Sequence, residues 1–338
     1  MDFELSADQE ALRDAAADLL ATRSASPVVR AAMDRGGAFD ADLWAAMVEQ
    51  GWCGIATPEE AGGVGLGWVE AAILLEQVGG HVAPAPILSQ LVALEVLAGT
   101  DWVPGLLDGS QVAAIAPSFE VAVPYAPVAD VLVLADGDAV LAVDLADHRP
   151  AAEPAMDLTR PVGWVRRDAL ETARGAVVGG PVEIDRFCDL AALAYSAEML
   201  GIAQHALDIS VAYAKERVQF GRPIGSFQAV KHRCADMLVD VEGMRSAVYW
   251  AAWCVANGHE DASVSASTAK TWCSDAVMRV TQSALQVHGG IGFTWESDVH
   301  LYLKRGHLDA LAFGSAVDHR TRLALLLRTK VEAGQSVV

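Results

Sequence analysis

The sequence predicts a mostly α fold with a small β-domain set between two helical parts. Three observations carry that prediction. Long stretches at both ends repeat their apolar residues at helical spacing, whereas residues from about 103 to 180 alternate with a period near two. Of the 338 residues, 53% are apolar and 20% charged, which suffices for a core of several layers and leaves apolar surface for other subunits. No tandem repeat or low-complexity tract interrupts the plan.

The elements follow in order. Ser6 is a candidate N-cap, after which Leu12, Ala16, Leu19 and Leu20, with Phe3 before the cap, keep a helical stripe. The stretch FDADLWAAMVEQGW is a second amphipathic helix closed by Gly51. A Gly-rich loop in ATPEEAGGVGLG leads to a helix, a turn and another helix ending near Leu97. QVAAIAP, FEVAVPYA, DVLVLADGDAVLAVDL and GWVRRDAL have the look of short strands, with ADGDA as a hairpin turn. Helices resume at Pro181, with runs over 186–216, about 227–257, 262–287 and 298–329, a four-helix arrangement. The expected domains are 1–102, helical; 103–182, β; and 183–332, the helix bundle.

Charge and composition exclude several functions. A net charge of -20, with no long basic run, argues against nucleic acid. The five cysteines are scattered and form no CxxC pair, which suits a reduced cytoplasmic protein. The acidic N-terminus lacks the pattern of a signal peptide, and no apolar stretch is long enough for a membrane span.

Against this acidic background, RVQFGRPIGSFQAVKHRCADM at 217–237 concentrates cations at a break between two helices. A helix ending at Arg217 and another beginning near Ser226 place a guanidinium beside free backbone N–H groups, a combination suited to phosphate oxygens. A salt-bridged interhelical turn explains the same residues. QVHGGIGFTWESDVHLYLKR at 286–305 adds Gly289, Gly290 and Gly292 at the end of a long helix. A helix cap accounts for one glycine, but not for three or for Gln286 one turn earlier.

Together, AYAKERVQFGRPIGSFQAVKHRCADM and ALQVHGGIGFTWE resemble the acyl-CoA dehydrogenase family, with weaker echoes in GWCGIATPEEAGGVGLG and MDLTRP. The resemblance covers nearly all of 1–330. It implies an N-terminal helical domain, a middle β-barrel or sheet and a C-terminal four-helix bundle. It also implies that Arg217 meets the pyrophosphate of an FAD held by a neighbouring subunit, with Gln219, Phe220, Ile224 and Gln228 beside it. Gln286, Gly289 and Gly290 would lie along the adenosine.

Three departures bear on catalysis. The family base, a Glu in a Tyr-Glu-Gly-Thr turn, is replaced by Phe313 in AFGSA. The alternative position for that Glu, before a Leu-Gly pair, is Ala191. Asp189 and Glu198 lie near it and read as solvated helix charges. The flavin-ring loop of the family, resembling T-E-P-x-A-G-S-D, has no counterpart in 113–130.

The resemblance therefore implies the shorter, base-lacking subunit of an α2β2 acyl-CoA dehydrogenase of the kind actinobacteria use on steroid side-chain CoA thioesters. Its partners would be a longer homologue, an acyl-CoA and an electron-transfer flavoprotein. Two alternatives stand beside it: a self-sufficient homotetramer with an unrecognised base, and a redox-inactive scaffold. His232, Trp295 and His300 have no expected role beyond packing or capping, and no metal site is expected.

Overall fold

Ser6 caps the first helix through its side chain, which accepts the Gln9 amide while Gln9 reaches back to the Ser6 amide. The computed structural model describes residues 4–36 and 38–336; Phe3 lies outside them. From that cap α1 (Ala7–Arg23) runs into α2 (Ser26–Asp34), which the sequence did not announce because Pro27 and a nine-residue length weaken its pattern. The helix α3 (Ala41–Glu49) follows, capped by Asp40 and turned out by Gly51 at φ +76. Then come α4 (Trp68–Gly80) and α5 (Ile87–Val96), on either side of the expected turn.

Residues 103–107, expected at the start of the β zone, are instead a short helix, α6 (Val103–Leu107), and strands begin at 113. Strands β1 (Ala113–Ala116), β3 (Val131–Asp136), β4 (Ala139–Asp144) and β6 (Gly175–Gly179) make one sheet in the order β1-β3-β4-β6, while β2 (Val121–Pro124) pairs with β5 (Val162–Val165). The 136–139 turn is the predicted hairpin, with Gly137 at φ +57. GWVRRDAL is strand only up to Val165 and then bends into a 3₁₀ turn at Asp168–Leu170. The edge strand β6 was not foreseen, since an exposed stretch bounded by Gly175, Gly179 and Gly180 reads as loop. Gln90 of α5 ties the β-domain to the helices before it. Its amide donates to the Leu106 and Gln111 carbonyls, and its oxygen accepts the Ala113 amide.

The bundle consists of α7 (Pro181–Glu216), α8 (Gln228–Ala256), α9 (Ala262–His288), α10 (Val299–Leu311) and α11 (Ala316–Glu332). The run expected over 298–329 is therefore two helices. Phe313 and Gly314, at φ +52 and +99, cannot continue a helix, and Ser315 caps the next one. Where α4 crosses α7 the backbones touch: a Cβ on Gly201 would lie 1.7 Å from the Glu76 carbonyl oxygen, and one on Gly79 2.0 Å from that of Glu198. Only glycine at both positions permits that approach.

Below this crossing lies a buried charge network joining the β-domain to the bundle. Arg305 of α10 donates to Asp157 at 2.9 Å and to Glu198 of α7 at 2.7 Å. Arg160 reaches Glu198 at 3.3 Å and Asp309 of α10. The Asp157 carboxylate also accepts from the Thr159 amide at 2.9 Å. Burial opposes ionisation of Asp157, yet Arg305 and Arg160 more than offset it and hold that carboxyl below its usual range. The same network corrects the sequence-based expectation for two helix acids. Glu198 is 1% exposed within it, and Asp189 is 5% exposed and paired with Arg322 at 2.5 Å; neither is a solvated charge. Their partners are 38 to 133 residues away in sequence, out of reach of any periodicity argument.

Candidate functional site

At the C-terminal end of α7 the chain leaves the helix at Arg217, whose amide still donates to the Tyr213 carbonyl at 2.8 Å. It then makes a two-residue ladder, β7 (Val218–Gln219) against β8 (Arg222–Pro223), closed by Phe220 and Gly221 at φ +53 and +75. Positive φ at both corners is the hairpin turn that suits strand twist. For phenylalanine it costs roughly 1–2 kcal/mol, and the ring gains no burial in return, being 92% exposed. The hairpin is braced at its base. The Ile224 amide donates to the Arg217 carbonyl at 2.8 Å, and the Arg222 guanidinium lies 4.2 Å from the Phe227 ring centre. A Cβ on Gly225 would come 2.8 Å from the Ala214 carbonyl oxygen, so glycine there seats the hairpin on α7.

The cations of this segment have no carboxylate partner among the described residues: Lys215, Arg217, Arg222, Lys231 and Arg233 make no ion pair, although Arg279 nearby is paired to Asp240 at 2.6 Å. The salt-bridged-turn explanation therefore fails for Arg217. Gln219 and Gln228 are exposed beside it and Ile224 is half-buried.

The second segment is at the same end of the bundle. His288, the last residue of α9, stacks on Tyr213 of α7 with ring centres 4.5 Å apart. Gly289 turns the chain at φ +64. Gly290 needs neither positive φ nor room within this chain: nothing lies within 4 Å of where its Cβ would be. Gly292 packs against His288 and Leu285. Gln286 is exposed and lines a groove of about 450 Å³ between α8 and α9 with Arg233, Met237 and Ser283.

Neither position at which the sequence resemblance places a base holds an acid. Ala191 is fully buried. Phe313 is 8% exposed, its ring edge-on to Phe187 at 5.2 Å and 6.0 Å from Tyr195. Its turn is fixed by two polar side chains that the sequence did not single out. Lys270 of α9, fully buried, donates to the carbonyls of Asp309, Ala310 and Gly314 at 2.9–3.0 Å, and burial brings its pKa down to about 8. His319 bonds the Phe313 carbonyl at 2.9 Å. The acids nearest in function to a base, Glu198 and Asp309, are held by arginines in a sealed interior. Within 113–130, where the sequence shows no counterpart of the flavin-ring loop, residues 117–120 form a short turn with Arg167 stacked 4.2 Å over Phe119. His232 is exposed, while Trp295 packs against His300 and carries the Lys304 ammonium 4.4 Å from its ring. Among the described residues there is no cluster with metal-ligand character and no helix long and apolar enough to cross a membrane.

Comparisons with known proteins identify the family. Residues 6–101 match the acyl-CoA dehydrogenase N-terminal domain and residues 184–324 the acyl-CoA dehydrogenase C-terminal domain. The acyl-CoA dehydrogenase IpdE2 of Mycolicibacterium smegmatis is 36% identical over 325 residues, covering 94% of this chain and 98% of that protein. A chain of the ChsE4-ChsE5 complex from Mycobacterium tuberculosis superposes with a TM-score of 0.87 at 27% identity, over 97% of this chain and 99% of the other. A chain of a steroid ACAD variant, Tcur3481-Tcur3483, also gives 0.87, at 29% identity over 96% and 99% of the two chains. With both terminal domains matched and a full-length relative above one-third identity, the chain belongs to the acyl-CoA dehydrogenase family.

Proposed function

We propose that this chain is the base-lacking subunit of a heteromeric, FAD-dependent acyl-CoA dehydrogenase, and that its role is to complete a flavin site on a longer homologous partner. The observation that carries the proposal is the group of unpaired cations at one bundle end of a chain of net charge -20, facing outward beside a glycine, Gly290, that nothing in the chain itself requires. An anion from outside the chain accounts for both. The residues present fit the pyrophosphate and adenosine parts of FAD and not its ring. Arg217 supplies a planar fork of donors for phosphate oxygens, with Gln219, Phe220, Ile224 and Gln228 around it, and Gln286, Gly289 and Gly290 offer amide and open backbone to the nucleoside. FAD, when bound, supplies hydride acceptance during α,β-dehydrogenation of an acyl-CoA. This chain's part is anchoring, since Phe313 and Ala191 cannot take the α-proton. The heteromeric ChsE4-ChsE5 and steroid ACAD neighbours support a two-subunit enzyme and a bulky, steroid-type acyl group. Electrons would leave through an electron-transfer flavoprotein.

The test is co-expression with the longer homologue, followed by size-exclusion chromatography and flavin quantitation. The expected product is a yellow α2β2 complex with about two FAD per four chains, because one kind of interface holds all the parts. In it, Arg217→Ala should weaken FAD roughly ten- to a hundred-fold with the fold intact. A yellow homotetramer of this chain alone with a flavin in every subunit, or undiminished FAD in the variant, would refute the assignment.

A further inference from the structure

The two cofactor-facing segments sit on different helices, and a ring stack joins the helix ends that carry them. Tyr213, on the last turn of α7, stacks with His288, the last residue of α9, at 4.5 Å between ring centres and 20° between planes. Tyr213 is one helical hydrogen bond from Arg217, its carbonyl accepting the Arg217 amide at 2.8 Å, and His288 is one peptide bond from Gly289. The histidine ring is fixed in turn. Its Nδ1 lies 2.8 Å from the Ala284 carbonyl, which can only accept, so Nδ1 carries the proton and Nε2 does not. Burial lowers its pKa, which keeps the ring neutral and flat against the tyrosine near neutral pH.

The hairpin has its own bracing, through Ile224, through Arg222 on Phe227 and through Gly225 seated on α7, and Arg233 of α8 reaches Ser283 of α9 at 3.4 Å; the stack adds a rigid ring contact between the two helix ends that carry the segments. A dinucleotide gripped at its phosphates by one helix end and at its nucleoside by another needs the distance between them set beforehand. Otherwise binding must order it, at a cost in affinity. We propose that the Tyr213–His288 stack is a positioning device that sets the spacing between the phosphate-facing hairpin and the nucleoside-facing glycine turn. The proposal rests on the flavin reading above. It predicts an effect only on ligands that span both segments.

The experiment uses the co-expressed complex, stripped of flavin and titrated with FAD, ADP, pyrophosphate and adenosine, the last three as competitors of FAD rebinding. His288→Ala and Tyr213→Ala should each weaken FAD and ADP about two- to ten-fold, the range of one aromatic pair. Pyrophosphate and adenosine taken singly should compete as in the wild type. The double variant should lose no more than the weaker single, since both act through one stack. His288→Phe, which keeps a flat ring, should restore most of the affinity. Additive losses, unchanged ADP binding in both alanine variants, or an equal fall for pyrophosphate would overturn the positioning role. These results are separable from the flavin reading: if Arg217→Ala retains FAD that reading fails, whereas if it releases FAD and His288→Ala changes nothing, only the present proposal fails.

Discussion

Asparagine in place of Asp309 would keep the shape of that side chain and remove its ability to ionise. Asp309 sits in a sealed cluster of three carboxyls (Asp157, Glu198, Asp309) and two guanidiniums (Arg160, Arg305), and its Oδ2 has no hydrogen-bond partner. Burial pushes its pKa up from 3.8 to about 7; Arg160 opposes the rise, Glu198 adds to it and Arg305 again opposes it. The Lys270 ammonium faces it across the Asp309 carbonyl, and the Tyr195 ring packs nearby. Between pH 3.8 and about 7 the folded chain holds a proton here that the unfolded chain has released, so stability falls as pH rises through that window. At about 1.4 kcal/mol per pH unit, halved where the pH reaches the folded pKa, the wild type loses about 2 kcal/mol between pH 5 and 7, and the Asp309→Asn protein loses none of it through this residue. With about 2.1 cal/mol/K per residue of unfolding entropy, that is about 3 °C in melting temperature if the chain unfolds as one unit. His205 and His319, both pushed down to about 4 by burial, titrate in the opposite sense in the same window but equally in both proteins, so they cancel in the difference. Thermal melts of the two proteins from pH 5 to 7.5 decide the matter, below the range where Lys270 contributes. Parallel curves, with no growth of the difference toward pH 7, would refute the assignment of the proton to Asp309.

Two further perturbations follow from the geometry. Gly201→Ala puts a methyl 1.7 Å from the Glu76 carbonyl oxygen and must force α4 off α7, so it should cost about 3 kcal/mol or more, while Gly80→Ala, whose nearest contact is an ordinary 3.6 Å, should be neutral or stabilise by up to about 1 kcal/mol; denaturant titration of both compares them directly. Phe313→Glu restores a carboxylate at the family position, but into a pocket of Phe187 and Tyr195 rings and without a flavin-ring loop. It should therefore lower stability and give no dehydrogenation by the isolated chain, and turnover in an acyl-CoA assay would overturn the half-site proposal.

What the sequence made legible is what short-range physics writes locally. The Ser6 cap, the 136–139 hairpin and the breaks at 217–228 and 289–292 all rest on residues a few positions apart, and the structure has each of them. The same holds for the motif pair that carried the family resemblance. Illegible were features whose cause lies far along the chain. Glu198 reads as one more charge on a helix until Arg160 arrives from the β-domain and Arg305 from another helix of the bundle. Lys270 reads as a surface lysine until three carbonyls around residue 310 close over it. The break at Phe313 failed for another reason: a left-handed phenylalanine has no propensity signature, and the pattern on either side of it continued as one helix.

The buried ion network also sets a timetable for synthesis. Arg160 leaves the ribosome 149 residues before Asp309. At elongation rates of about 5–20 residues per second, it waits roughly 7–30 s for its partner. Glu198 of α7 follows Arg160 after 38 residues, but for the rest of that interval the side of Arg160 that meets Asp309 stays open. A chaperone or an early-arriving partner chain has that window in which to act.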